Sequence, residues 1–269
     1  MGGGRSLRFA SVTRAFTRDD DLRGAAFDAA DLSGAVFREC DLTGVRMHGV
    51  LLVDVELSGL VQGLVLNDVE VGALVEAELD RRHPERLLFR ATEPGELRRG
   101  WDFLERQWAG TVALIAALPD EQRRQQVGGE WSAVDTLRHL IFVIDSWFAH
   151  EVLRKEQPFH PWGLPPDFVP AWDEMGIDRD GDPSFDEVVS VRAGRQQLVR
   201  DWLASVRADE LARPTAPRED PCWPPPGDRT VADCLHVLLD EEWWHHRYAV
   251  RDLAALENPA AGSPGDSVA

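Results

Sequence analysis

The run Glu241-Glu242-Trp243-Trp244-His245-His246 is the part of the sequence best suited to chemistry. It holds two carboxylate–imidazole pairs, Glu241 with His245 and Glu242 with His246, each four residues apart. On an α-helix that spacing puts both members of a pair on one face, one turn apart. A carboxylate and an imidazole held in this way are good ligands for zinc or a similar divalent ion. The flanking residues select between the pairs. Val231, Leu235, Leu238, Glu242, His246, Ala249 and Leu253 form one helical stripe, so Glu242 and His246 are expected to face the interior. Glu241 and His245 lead through Tyr248 to Asp252, a more polar stripe expected to face solvent. A buried carboxylate has three remedies: protonation, an ion pair or a metal. On spacing alone, the metal reading stands level with a charged helix face carrying i,i+4 pairs.

A third ligand must come from another element. His139 lies in Thr136-Leu137-Arg138-His139-Leu140, an apolar setting in which a lone histidine is usually a core residue. His150, beside Glu151, reads as solvated, as do His48 and His83. His236 is more than a turn from Glu242, and His160 lies on a loop that at most closes over a site.

The elements that position these residues follow from periodicity and caps. Four helices are expected over about 96–118, 132–153, 185–206 and 231–256. Ser132, Ser184 and Thr230 are the N-caps, and Pro119 ends the first helix. The connections 156–183 and 208–229 are proline-rich and carry Trp162, Trp172 and Trp223. Loops of that length often pack over sites. Long connections between four helices suggest an all-α four-helix bundle with a crossover connection. Asp178-Arg179-Asp180-Gly181-Asp182 has the look of a calcium loop, but Pro183 stands where the turn glycine belongs and Val189 where the bidentate glutamate belongs.

The N-terminal part has a different period. Leu22, Phe27, Leu32, Phe37, Leu42, Met47, Leu52 and Leu57 fall on every fifth residue, with Ala25, Ala30, Ala35, Cys40, Val45, Val50 and Val55 two positions before most of them. Five fits neither helix nor strand. It fits a coil that turns a corner every five residues, with the bulky and the small residue both pointing inward. A connector follows, with a short helix from Val75 ending at His83-Pro84.

Composition narrows the function. The 269 residues include 29 basic and 47 acidic side chains, a net charge of -18, which weighs against nucleic-acid binding. The 43% apolar content and 10 tryptophans exclude a disordered chain. Lys155 is the sole lysine and lies in a charged run, so neither a P-loop nor a buried Schiff-base lysine is available. Cys40, Cys222 and Cys234 make no metal-spaced pair and no disulfide framework. The N-terminus lacks a signal-peptide core and no stretch suits a bilayer span, so a reduced, cytoplasmic, soluble protein with no membrane partner is expected.

Residues 15–66 resemble the pentapeptide-repeat family through Ala30-Asp31-Leu32-Ser33-Gly34 and Cys40-Asp41-Leu42-Thr43-Gly44. The resemblance implies a short right-handed quadrilateral β-helix of about two coils, capped by the segment that follows. Cys40 would then fill a small apolar slot and be unreactive.

Residues 95–256 resemble the DinB/YfiT-like metalloenzyme family. Glu130-Trp131-Ser132, Thr136-Leu137-Arg138-His139-Leu140, and Glu242-x-x-x-His246 before Arg247 carry the likeness. It implies a multidomain protein: a β-helix over 15–66, a connector or cap over 67–94, a four-helix bundle over 95–257 and a disordered tail over 258–269. It implies a metal, zinc or nickel or another divalent ion, on His139, Glu242 and His246. Most members have histidine at the first of the last two positions. The glutamate here matches the variant of mycothiol-dependent maleylpyruvate isomerases and related thiol transferases. The activity implied is a zinc-dependent thiol S-transferase or thiol-dependent isomerase, with a small-molecule thiol such as mycothiol and an electrophilic substrate as partners. Arg138 and Arg247, with Arg251, are candidates to hold anionic groups of the cofactor, and a homodimer is allowed. The alternatives are a metal-hydroxide hydrolase at the same site and a non-enzymatic interaction module that uses the repeat coil.

Overall fold

The computed structural model describes residues 15–17, 20–38, 40–59, 61–169, 171–215 and 223–257. Cys222 and the expected tail over 258–269 lie outside them. The chain divides into two compact units, Met1–Leu51 and Leu52–Ala269.

In the repeat segment the sequence period becomes a series of turns. Asp21, Asp31 and Asp41 each accept a hydrogen bond from the backbone N–H two residues on, at Arg23, Ser33 and Thr43. Gly24, Gly34 and Gly44 follow with φ near +75°. The turns close through Ala25, Ala35 and Val45 N–H to the carbonyls of Leu22, Leu32 and Leu42. A positive φ at the third turn position favours glycine, which explains the Asp-x-x-Gly recurrence. The bulky residues are not buried as expected. Leu22, Leu32 and Leu42 are 43–47% accessible, and Phe27 and Phe37 about 60%. Cys40 is exposed rather than fitted into a slot. Eight repeats are too few to cover these apolar side chains as a longer repeat array would.

The second unit begins with a two-residue antiparallel hairpin, β1 (Val65–Leu66) and β2 (Val69–Glu70). Two short helices follow, α1 (Gly72–Arg82) and α2 (Arg86–Phe89). The buried Arg86 of α2 reaches back to Glu76 and Asp80 of α1 at 2.7 and 2.9 Å.

The helical core is made by α3 (Pro94–Ala117), α5 (Ala133–Val143), α6 (Phe185–Ser205) and α8 (Val231–Glu257), with the single turns α4 (Asp120–Arg123) and α7 (Ala208–Leu211) between them. α3 packs on α6 and α8, and α5 packs on α6 and α8. Three of these helices start on the caps read from the sequence. Ser132 accepts from Asp135 N–H, Ser184 and Glu187 form a reciprocal capping box, and Thr230 pairs with Asp233 in the same way. Leu97, Trp101, Leu104, Trp108 and Ile115 of α3 form the stripe that faces the core. Gly100 lets α3 approach closely: a Cβ there would lie 3.2 Å from Leu239 and from Leu88.

One feature was not legible as a helix break. α5 continues without interruption into a π-helix, Ile144–Val152. The wider turn buries almost every side chain it carries, including Asp145, Ser146, His150 and Glu151. His150, expected in solvent, is fully buried against Glu151 at 3.2 Å.

Candidate metal centre

His139 of α5 is brought together with Glu241 and His245 of α8. One ligand-type atom from each lies within 4.8 Å of the others. His139 Nε2 is 3.6 Å from Glu241 Oε2, and His245 Nε2 is 3.2 Å from the same oxygen. The two imidazole centroids are 4.5 Å apart. His139 is buried, His245 nearly so, and Glu241 keeps 37% of its side chain accessible. Trp131, just before the α5 cap, covers the imidazoles, 4.6 Å from His139 and stacked 6.0 Å from His245. Tyr248 meets His245 edge-on at 5.7 Å.

The hydrogen bonding of His139 settles which of its nitrogens faces the cluster. Its Nδ1 is 3.0 Å from the carbonyl oxygen of Leu164. A carbonyl can only accept, so Nδ1 carries a proton and Nε2 is the nitrogen turned toward the cluster. Nε2 faces a carboxylate oxygen of Glu241 3.6 Å away. Burial opposes ionisation of Glu241, but the imidazoles of His139 and His245 hold its carboxyl well below the usual range. Burial holds His245 below the ordinary imidazole value, and so does its neighbour His139. Two imidazoles and one carboxylate are a donor set that fits a divalent ion.

The pair expected to face this centre lies elsewhere, with Glu242 buried and His246 half-buried. Glu242 is 1% exposed and makes a two-pronged ion pair with Arg192 of α6, at 3.0 and 2.5 Å. Arg192 is itself buried and packs its guanidinium 4.9 Å from the Trp108 ring. His246 Nε2 is 2.9 Å from the Thr111 hydroxyl of α3, with its ring edge-on to Trp108 at 5.2 Å. The stripe argument located the buried face correctly, and the buried acid found an arginine there. Glu241 and His245 lie one residue back, on the flank of α8 turned to α5. Arg192 could have been noticed, because it falls on the α6 stripe Phe185, Val188, Arg192, Val199, Leu203.

The arginine candidates also separate. Arg138 is buried, and its donors go to the backbone carbonyls of Trp162, Asp178 and Arg179. Burial lowers its pKa. Arg247 lies 4.9 Å over the Trp243 ring with Nη1 3.0 Å from His83 Nε2. Arg251 binds Glu130 and Asp252 and sits 5.3 Å over the Tyr248 ring, so of the three it is the one joined to the aromatic rim of the cluster.

Comparison with protein families matches residues 104–249 to the DinB superfamily, over more than half of the chain. Residues 21–59 match pentapeptide repeats in 8 copies. No curated protein and no solved structure matched the chain. Among the described residues no helix is long and apolar enough to cross a membrane.

Proposed function

From the premise that this chain belongs to the DinB superfamily, we propose that His139, Glu241 and His245 hold a divalent metal ion, zinc before nickel, and that the protein is a thiol S-transferase or thiol-dependent isomerase. The observation that carries the reading is the convergence of three lone-pair donors from two helices, with His139 Nδ1–H already committed to Leu164. Two neutral imidazoles and one carboxylate would leave the centre net positive, which favours an anionic sulfur ligand. When bound, the ion supplies the positive charge that lowers a thiol's pKa and keeps it nucleophilic near neutral pH. The protein's own part is positional. His139 is fixed by Leu164, Glu241 and His245 are fixed one turn apart on α8, and Trp131 shields the imidazoles from water.

In this reading the partners are a small intracellular thiol, such as mycothiol, and an electrophilic small molecule, in a cytoplasmic setting. The four long helices form a bundle with a crossover, and the repeats wind a short quadrilateral β-helix ahead of it. The chain is active alone or as a homodimer.

Metal analysis of the purified protein, followed by assay with a thiol and a chromogenic electrophile, tests the proposal. Stoichiometric zinc and thiol-dependent turnover, both lost in His139→Ala and His245→Ala, are expected. Turnover that needs no thiol would replace transfer with hydrolysis at the same centre. Absence of metal binding under zinc-replete conditions would remove the centre altogether.

A further inference from the structure

We infer that Arg138, buried beside the centre, is a positioning residue: it anchors the connection between the π-helix and α6 so that Leu164 receives His139 Nδ1–H and Nε2 is aimed at Glu241 and His245. The inference rests on the metal reading above and gives one of its ligands a support.

The geometry forms a closed circuit. Arg138 Nε donates to the Trp162 carbonyl at 3.2 Å, and Nη2 donates to the carbonyls of Asp178 and Arg179 at 3.0 and 3.2 Å. The backbone N–H of Leu164 returns to the carbonyl of Arg138 at 3.2 Å. Asp178 N–H bonds the Pro161 carbonyl at 2.8 Å, tying the two held stretches of the connection to each other. Residues 162 and 164 are therefore fixed from both sides by one residue, the neighbour of His139 in sequence. Gly163 lies between them and lets the backbone lie against α5. A Cβ there would be 3.2 Å from the His160 carbonyl oxygen and 3.4 Å from Phe142 Cβ.

The residue type matters. A guanidinium presents several donors in a rigid planar fork, so one side chain can satisfy three carbonyls belonging to two parts of a loop. An ammonium or an apolar side chain cannot. With the fork removed, Trp162 and the 178–179 stretch lose their side-chain anchor, the Leu164 carbonyl can shift about its remaining backbone bond to Arg138, and His139 can take the other tautomer, whose Nε2–H cannot bind a metal. Supports of this kind tune metal affinity by roughly 10–100-fold.

The test uses the full chain with zinc as the probe. Zinc affinity is read by chelator competition, and the His139 tautomer by nitrogen NMR on the metal-free protein. Arg138→Met is expected to weaken zinc about 10–100-fold and to turn His139 from Nδ1–H into a mixture. Gly163→Ala, which shifts the same carbonyl without touching Arg138, is expected to move both readouts in the same direction. It also keeps the test decisive if Arg138→Met does not fold. Arg124→Ala is the control. It frees the far end of the same connection, where Arg124 holds Asp182 and the Pro183 carbonyl, and should leave both readouts unchanged. A folded Arg138→Met or Gly163→Ala protein with wild-type affinity and a pure Nδ1–H tautomer would overturn the inference. Failure of the wild type itself to bind zinc would overturn the metal reading, while the tautomer would still report on the positioning.

Discussion

Glu241 and Glu242 are adjacent, chemically identical and four residues from adjacent histidines, yet the structure gives them different partners. Replacing each by glutamine should separate metal binding from stability. Glu242→Gln removes the charge facing Arg192, whose guanidinium is 2% exposed and has its two-pronged bond to that carboxylate. Breaking a buried pair by removing one partner costs about 3–5 kcal/mol, because the remaining charge is stranded. For a domain of this size that is a fall in Tm of about 6–20 °C. Zinc affinity of the folded fraction should be unchanged. Glu241→Gln acts on a side chain that is 37% accessible and, without metal, meets only the imidazoles of His139 and His245. Its effect on metal-free stability should stay within about 1 kcal/mol, well below that of Glu242→Gln, because the pair it breaks is partly exposed and the amide can donate to one of the imidazoles. Its zinc affinity should collapse, because a neutral amide replaces the one anionic ligand. The paired assays are thermal melts of metal-free protein and zinc titration at a temperature where every variant is folded. If Glu242→Gln loses zinc without losing stability, while Glu241→Gln keeps its zinc, the assignment of the cluster is refuted.

Three other outcomes follow from the same structure. Asp145 is fully buried on the π-helix, and burial pushes its pKa from 3.8 to about 6 against the pull of Arg195 and the His160 N–H. Between those values the native state holds the proton more tightly than the unfolded chain, so this residue's contribution to stability is present at the acid end and is lost as pH rises to about 6. The change is at most about 3 kcal/mol, and Asp145→Asn should flatten it in denaturant melts taken across that window. Gly100→Val should destabilise by about 1–3 kcal/mol, read by urea unfolding, because its side chain would meet Leu239, Leu88 and Phe89. Cys234 is fully buried with its thiol pushed up to about 12, first by burial and then by Glu151. Peptide mapping after alkylation of native protein should find Cys40 modified and Cys234 untouched, and a modified Cys234 would contradict the packing of α8.

Much of this arrangement was legible because it is local. Ser132, Ser184 and Thr230 announce helix starts through bonds that span three residues, so the caps can be read without knowing what the helices pack against. The turn chemistry of Asp31 and Gly34 is local in the same sense. The participation of His139 followed from resemblance, and the structure places it in the cluster. What could not be read depends on partners distant in sequence. The stripe through Leu235, Leu238 and Glu242 correctly marked a buried face, but choosing between a metal and an ion pair needed the knowledge that Arg192, fifty positions earlier, would lie opposite. The π-helix was hidden because Ile144–Val152 is as apolar as the α5 segment before it, so periodicity gave no sign of the wider turn. The apolar rows of the repeat segment were read inward because period alone cannot say how many neighbouring turns will cover them.

The two overlapping acid–imidazole pairs have a joint consequence for α8. Successive side chains on a helix are rotated by about 100°, so the 241/245 and 242/246 pairs cannot face the same neighbour. Glu242 is held by Arg192 from α6, and His246 is held by Thr111 from α3. These two contacts, with the Trp108 Nε1–H donated to the Glu242 carbonyl at 3.2 Å, fix the roll of α8 on its axis. Once the roll is fixed, Glu241 and His245 have one direction left, toward α5 and His139. Rolling the helix by one residue so that Glu242 took the direction of Glu241 would bring Glu242 and His246 toward His139, as first expected from the stripe, and would carry Glu241 to the direction now held by Asp240. It would also turn Trp243 and Leu239, both buried in the core, out of their places. The apolar residues on the far side of α8 thus decide which acid meets the imidazole, and the Arg192–Glu242 pair fixes that choice at a site where it touches no ligand.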